Sequence, residues 1–176
     1  MRERTIASHF VRAALRGAER HGLDYTPLLR QLNIQPALLD EPRARIAPEQ
    51  FASLMQLLWE SLDDEFMGFG RQRSKRGTFA MMCYAIIHCR SLEKALTRGG
   101  LFYSLFPDAP SIRLSREGDW ARLTVDDSNL WDPDHFLVES LLVIWHRLGS
   151  WLIGQRIRLE EATFAYPEPA HSSEYQ

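Results

Sequence analysis

Residues 111–126, SIRLSREGDWARLTVD, decide the fold class. Ile112 and Leu114 alternate with Arg113 and Ser115, Glu117-Gly118-Asp119 supplies a turn, and Ala121, Leu123 and Val125 alternate with Arg122 and Thr124. A period of two on both sides of a turn predicts a β-hairpin. Nearly everything before it repeats at the helical period, so the expected class is α+β and mostly helical.

Downstream of the hairpin, Asp132-Pro133 opens a long helix that ends near Gly154. Its positions are apolar on nearly every side, which predicts a central helix. The segment LEEATFAYPEP, residues 159–169, reads as a third strand closed by Pro167 and Pro169. Hairpin and strand are expected to form a small antiparallel sheet against the long helix. Upstream, Ser91 caps a helix over residues 92–106 that stops before Pro107. Still earlier, Phe51, Leu54, Met55, Leu58 and Leu62 recur on one helical stripe after Pro48, and Thr26-Pro27 and Pro36 each open a short helical segment. The first helix carries Ile6, Phe10, Ala13, Ala14 and Ala18 inward and ends at Gly22.

With 176 residues, 45% hydrophobic and 25% charged, the chain is long enough for a single core and is read as one domain. A net charge of −2 gives no pull toward nucleic acid, so the chain by itself is not expected to bind DNA well. The basic run RQRSKR, residues 71–76, reads as a solvated loop. Two cysteines and a polar N-terminus without a secretory pattern point to a reducing cytoplasm. The apolar stretch 136–153 is interrupted by Glu139, His146 and Arg147, so no membrane span is expected.

The chemistry-bearing residues concentrate in GTFAMMCYAIIHC, residues 77–89. On a helix advancing about 100° and about 1.5 Å per residue, Cys83 and Cys89 lie about 9 Å apart along the axis, too far for a disulfide. His88 points about 140° away from Cys83, so the two cannot hold one ion from this helix. Phe79, Met82, Cys83 and Ile86 form a core stripe, and Met81, Tyr84, Ala85 and His88 the opposite one. Tyr84 and His88 either line a pocket or are polar tips at the rim of the core. On the long helix, His135, Glu139 and His146 share a stripe but span too great a rise to share an ion. They read as a polar stripe in which His135 and Glu139 can pair. The adjacent acids Asp63-Asp64 and Glu160-Glu161 read as surface charges.

No nucleophile elbow, phosphate-cradling loop, zinc helix motif or dinucleotide fingerprint is present in the sequence, so neither an enzyme, a cofactor nor a metal is expected. What the pattern allows is an apolar cavity between the 77–89 helix, the 92–106 helix and the long helix. Tyr84, His88, Tyr103, Trp145 and His146 are its candidate ligand-binding residues.

Five stretches taken in order carry a family resemblance: HGLDYTPLLRQLNIQPALLDEPRARIAPEQFASLMQLLWESLDDEFMGFG (21–70), GTFAMMCYAIIHCRSLEKALTRGGLFYSLF (77–106), the hairpin, FLVESLLVIWHRLGSWLIGQ (136–155) and ATFAYPEPAHSSEYQ (162–176). Together they resemble the N-terminal effector domain of AraC-type transcriptional regulators, in the subgroup called arabinose-binding-like. The resemblance implies that residues 1–176 are one effector-sensing and dimerisation domain, a homodimer responding to a small molecule. It implies that DNA is gripped only by a separate C-terminal domain with two helix-turn-helix units, and that the chain stops before further strands and that domain. It transfers no ligand residue and no sugar specificity. A ligand-independent dimerisation or protein-interaction module is the alternative reading, and a small-molecule enzyme a remoter one.

Overall fold

A computed structural model describes residues 5–41, 43–169 and 171–175. The described residues run β1 (Ile6–Ala7), α1 (Ser8–Arg20), α2 (Thr26–Gln31), β2 (Arg45–Ile46), α3 (Pro48–Leu62), α4 (Thr78–Ile86), α5 (Leu92–Tyr103), β3 (Ser111–Glu117), β4 (Trp120–Asp126) and α6 (Phe136–Leu152). Single 3-10 turns occupy Pro36–Leu39 and Ser172–Tyr175. The architecture is α+β, with a helical body and two small antiparallel sheets.

The elements form where the sequence places their signals. Pro48 sits in the first turn of α3, and the Gln50 side chain reaches back to accept from the Ala47 amide at 3.0 Å. Ser91 accepts from the Lys94 amide as the N-cap of α5. Strands β3 and β4 pair from Ser111↔Asp126 to Glu117↔Trp120, leaving a two-residue loop whose Gly118 takes φ +58°. The long helix α6 begins at Phe136, past the Asp132-Pro133 signal, and one Asp132 carboxylate oxygen accepts from the Val138 amide at 2.9 Å.

One core joins α1, α3, α4, α5 and α6, with Val11, Leu15, Leu54, Leu58, Phe69, Met82, Ile86 and Trp145 all at or near zero exposure. Close approaches lock it. A Cβ on Gly17 would stand 1.8 Å from the Met67 carbonyl oxygen, so α1 is pressed directly against the loop after α3. A Cβ on Gly99 would stand 2.7 Å from the Trp145 ring and 3.2 Å from the Met82 sulfur, so α4, α5 and α6 meet there without a gap.

Four expectations are corrected. Residues 159–169 form no strand: the segment is largely exposed and pairs with neither sheet, and Leu159 is 63% exposed. The segment has no ladder partner in either sheet. Instead the extended chain runs along α6. The second sheet is instead β1 with β2, joined as Ile6↔Ile46 and Ala7↔Arg45. Asp64 is not a surface charge. It is 2% exposed and accepts the amides of Phe66, Ser74 and Gly68 at 2.9, 2.7 and 2.8 Å, folding the loop that leads to α4. Finally, α6 is buried along only part of its circumference, with Val143, Ile144 and Trp151 on an exposed stripe. No described helix is long and apolar enough to cross a membrane.

Candidate functional site

The stripe of α6 that carries Glu139, His146 and Ser150 is covered by the chain after the helix. His146 Nε2–H donates to the Ile157 carbonyl at 3.0 Å, and Ser150 Oγ accepts from the Ile157 amide at 3.1 Å. Nine residues further on, Tyr166 donates its hydroxyl proton to Glu139 Oε1 at 2.8 Å. The Tyr166 ring lies flat on His135, 3.6 Å between centroids and 4° between planes. The polar stripe read in the sequence is therefore a rail for a C-terminal strap.

The strap ends beside the start of α1. His171 stacks on His9 at 4.2 Å, and its Nε2 faces Glu139 Oε2 at 3.8 Å. Glu174, on the final 3-10 turn, takes Arg45 with both carboxylate oxygens, at 2.7 and 3.0 Å. Burial holds the His9 imidazole below its ordinary pKa, and the neighbouring His171 pushes it the same way. His9 Nε2 is buried with no hydrogen-bond partner among the described residues. Arg45 keeps the Glu174 carboxyl below the usual carboxylate range. Around these groups opens a cleft of about 270 Å³, walled by His9, Arg43, Arg45, His171, Ser173 and Glu174. It is of small-solute size and mostly polar, with guanidinium, imidazole, hydroxyl and carboxylate groups facing inward.

The five residues nominated from the sequence do not line one cavity in this structure. Tyr84 is 72% exposed on the outer side of α4, and His88 is exposed in the turn beyond the end of that helix at Ile86. Tyr103 and Trp145 are buried neighbours, with ring centroids 6.3 Å apart and burial raising the Tyr103 phenol's pKa. His146 holds the strap. The cleft residues escaped sequence reasoning because they come from three separate segments: around His9, around Arg45, and beyond His171. The one available signal was the polar stripe on α6, whose partners lie 7, 11 and 27 residues later.

Among the described residues, no group of three or more His, Cys, Asp or Glu side chains is arranged to hold a metal ion. Cys83 and Cys89 are free thiols, and burial, with Glu65 nearby, pushes the Cys83 pKa up, away from a reactive thiolate. Lys75, Arg71, Arg73 and Arg76 are exposed, and Arg76 pairs with Glu60 at 3.1 Å.

The helical body carries a hairpin and leaves this polar cleft at one edge. The chain belongs to the arabinose-binding domain family of AraC transcription regulators, an N-terminal domain whose family model matches residues 22–176. It is also similar to an ornithine utilization regulator of Pseudomonas aeruginosa, 24% identical over 157 residues. That alignment covers 88% of this chain and 46% of the relative, so the chain spans less than half the relative's length. No solved structure matches the chain significantly.

Proposed function

We propose that the chain is the effector-sensing domain of an AraC-type regulator. It binds a small molecule in the cleft beside His9 and Arg45 and pairs as a homodimer in the cytoplasm. It passes occupancy to a DNA-reading domain of the same polypeptide by shifting the balance between two arrangements. The observation that carries this reading is the family match over residues 22–176. Family and relative are both regulatory, which supports a sensor over a catalyst. The relative is named for ornithine utilization; at 24% identity it lends its regulatory class and not its metabolite. In this reading the cleft, rather than the junction of α4, α5 and α6, receives the effector, because Trp145 and Met82 fill the space beside Gly99. The exposed stripe Val143, Ile144 and Trp151 on α6 supports pairing between copies.

A domain graft tests the reading. The chain is fused ahead of the remaining half of the Pseudomonas aeruginosa relative, with a reporter under that relative's promoter. The expected result is a reporter that responds to a small molecule the parent ignores. Output that is constant across amino acids, sugars, aromatic acids and fatty acids, with the graft present and dimeric, contradicts it and favours a ligand-independent pairing module.

A further inference from the structure

The Arg45 guanidinium is held from behind: Nε donates to Thr5 Oγ1 at 2.5 Å and Nη2 to the Thr5 carbonyl at 2.9 Å. These bonds fix the plane of the fork whatever stands in front of it. In front stands Glu174, in the two-oxygen pairing that a guanidinium makes best with a carboxylate. The pair lies within reach of solvent, with side chains 39% and 27% exposed, and Arg43 adds a second, exposed guanidinium to the same wall. Glu174 itself rides on a single 3-10 turn, Ser172–Tyr175, a type of element with little stability of its own. Ser172 ties that turn to Glu168, and His171 stacks it onto His9.

We propose that this cleft binds a small carboxylate, which replaces the Glu174 carboxylate on Arg45 and releases the C-terminal turn. The inference rests on the effector-sensing reading and deepens it by naming the ligand class. Glu174 acts as the internal occupant, and it demonstrates what the fork accepts: a planar, singly charged group with two oxygens side by side. The exchange trades one charge-assisted pair for another of the same kind, so ligand concentration sets which state is populated. Release also frees His9 Nε2, which is buried and unpartnered in the clasped state, to meet water. A carboxylate at Arg45 is thereby coupled to the contact between α1 and the end of the strap, and occupancy becomes a movement of the chain's C-terminal end.

The test is a titration of the 15N-labelled 176-residue chain with sodium succinate at constant ionic strength, with sodium phosphate as a second arm. The amide signals of residues 171–174 and the His9 ring signals report binding. Succinate is expected to shift them saturably. Glu174→Gln, which removes the internal competitor, tightens succinate binding by about tenfold, and Arg45→Gln removes the response. Arg43→Gln, at an exposed position remote from the core, weakens binding by about threefold and separates loss of a ligand group from loss of the fold. Equal responses in the parent, Glu174→Gln and Arg45→Gln overturn the proposal, as does an absence of saturation in all of them. Phosphate binding more tightly than succinate overturns the carboxylate assignment. A small molecule that stabilises Arg45→Gln as much as the parent also sinks it, while leaving the sensor reading intact.

Discussion

Asp64 and His9 show how much single residues decide here. Asp64 gathers three backbone amides at a buried position, so its removal strands all three. Asp64→Ala is expected to cost about 3 kcal/mol in urea unfolding. Asp64→Asn should cost roughly half as much, because the oxygen serving Phe66 and Ser74 can stay an acceptor while the one serving Gly68 is replaced by a donor. Equal costs for the two would contradict the geometry. His9 makes a prediction in pH. Its folded pKa is lowered, by burial first and then by His171, with Glu174 opposing them, Arg12 adding to the lowering and Glu139 opposing it least. The folded state therefore prefers the neutral ring, and the unfolded chain binds the proton more readily. Stability from this site is complete above the ordinary histidine value near 6.5 and is lost as pH falls through it toward the lowered folded value. The urea midpoint should drop between about pH 7 and pH 5.5, and His9→Gln should flatten that slope. A slope unchanged by the substitution would assign the effect elsewhere. Neither residue was legible as it stands. Beside Asp63, Asp64 resembles any exposed acid, because its three amide partners are set by a loop closure and not by spacing.

Among the elements, helices and hairpin were readable because their causes are local. Prolines at Pro27 and Pro48, the Ser91 cap and the two-residue turn at Gly118 each act within a few residues of themselves. The strap was not readable, since LEEATFAY alternates in the same way whether its partner is a strand or the polar rail of α6. Tyr103 and Trp145 read in the sequence as ligand-binding residues of a cavity between helices; the structure places them as buried neighbours, and no pattern in the chain says whether such a junction holds a cavity. Gly99 closes it by admitting the Trp145 ring. The strap carries its own prediction. Polar anchors from His146, Ser150 and Glu139 hold it along the surface of α6, so it can open without the core. Pairing His146→Ala with Tyr166→Phe should speed trypsin cleavage at the exposed Arg156 and Arg158 by about fivefold, while the global unfolding free energy changes by less than about 1 kcal/mol. Unchanged cleavage, or a global loss as large as that of Asp64→Ala, would show that strap and core form one cooperative unit.

At the scale of the whole molecule, a body closed by Gly17 and Gly99 contacts leaves a polar cleft at one edge, where α1, β2 and the end of the strap meet. That edge is where a sensing domain can convert occupancy into movement without disturbing its core. The net charge of −2 gives the surface no general electrostatic pull toward nucleic acid. Thermal unfolding of the 176-residue chain against a panel of metabolites tests that central claim most directly. The account predicts that at least one small molecule raises the midpoint, by about 5 °C or more at roughly a hundred times its dissociation constant, with the rise continuing with concentration. A midpoint indifferent to every compound, in a chain shown to be folded, would contradict it.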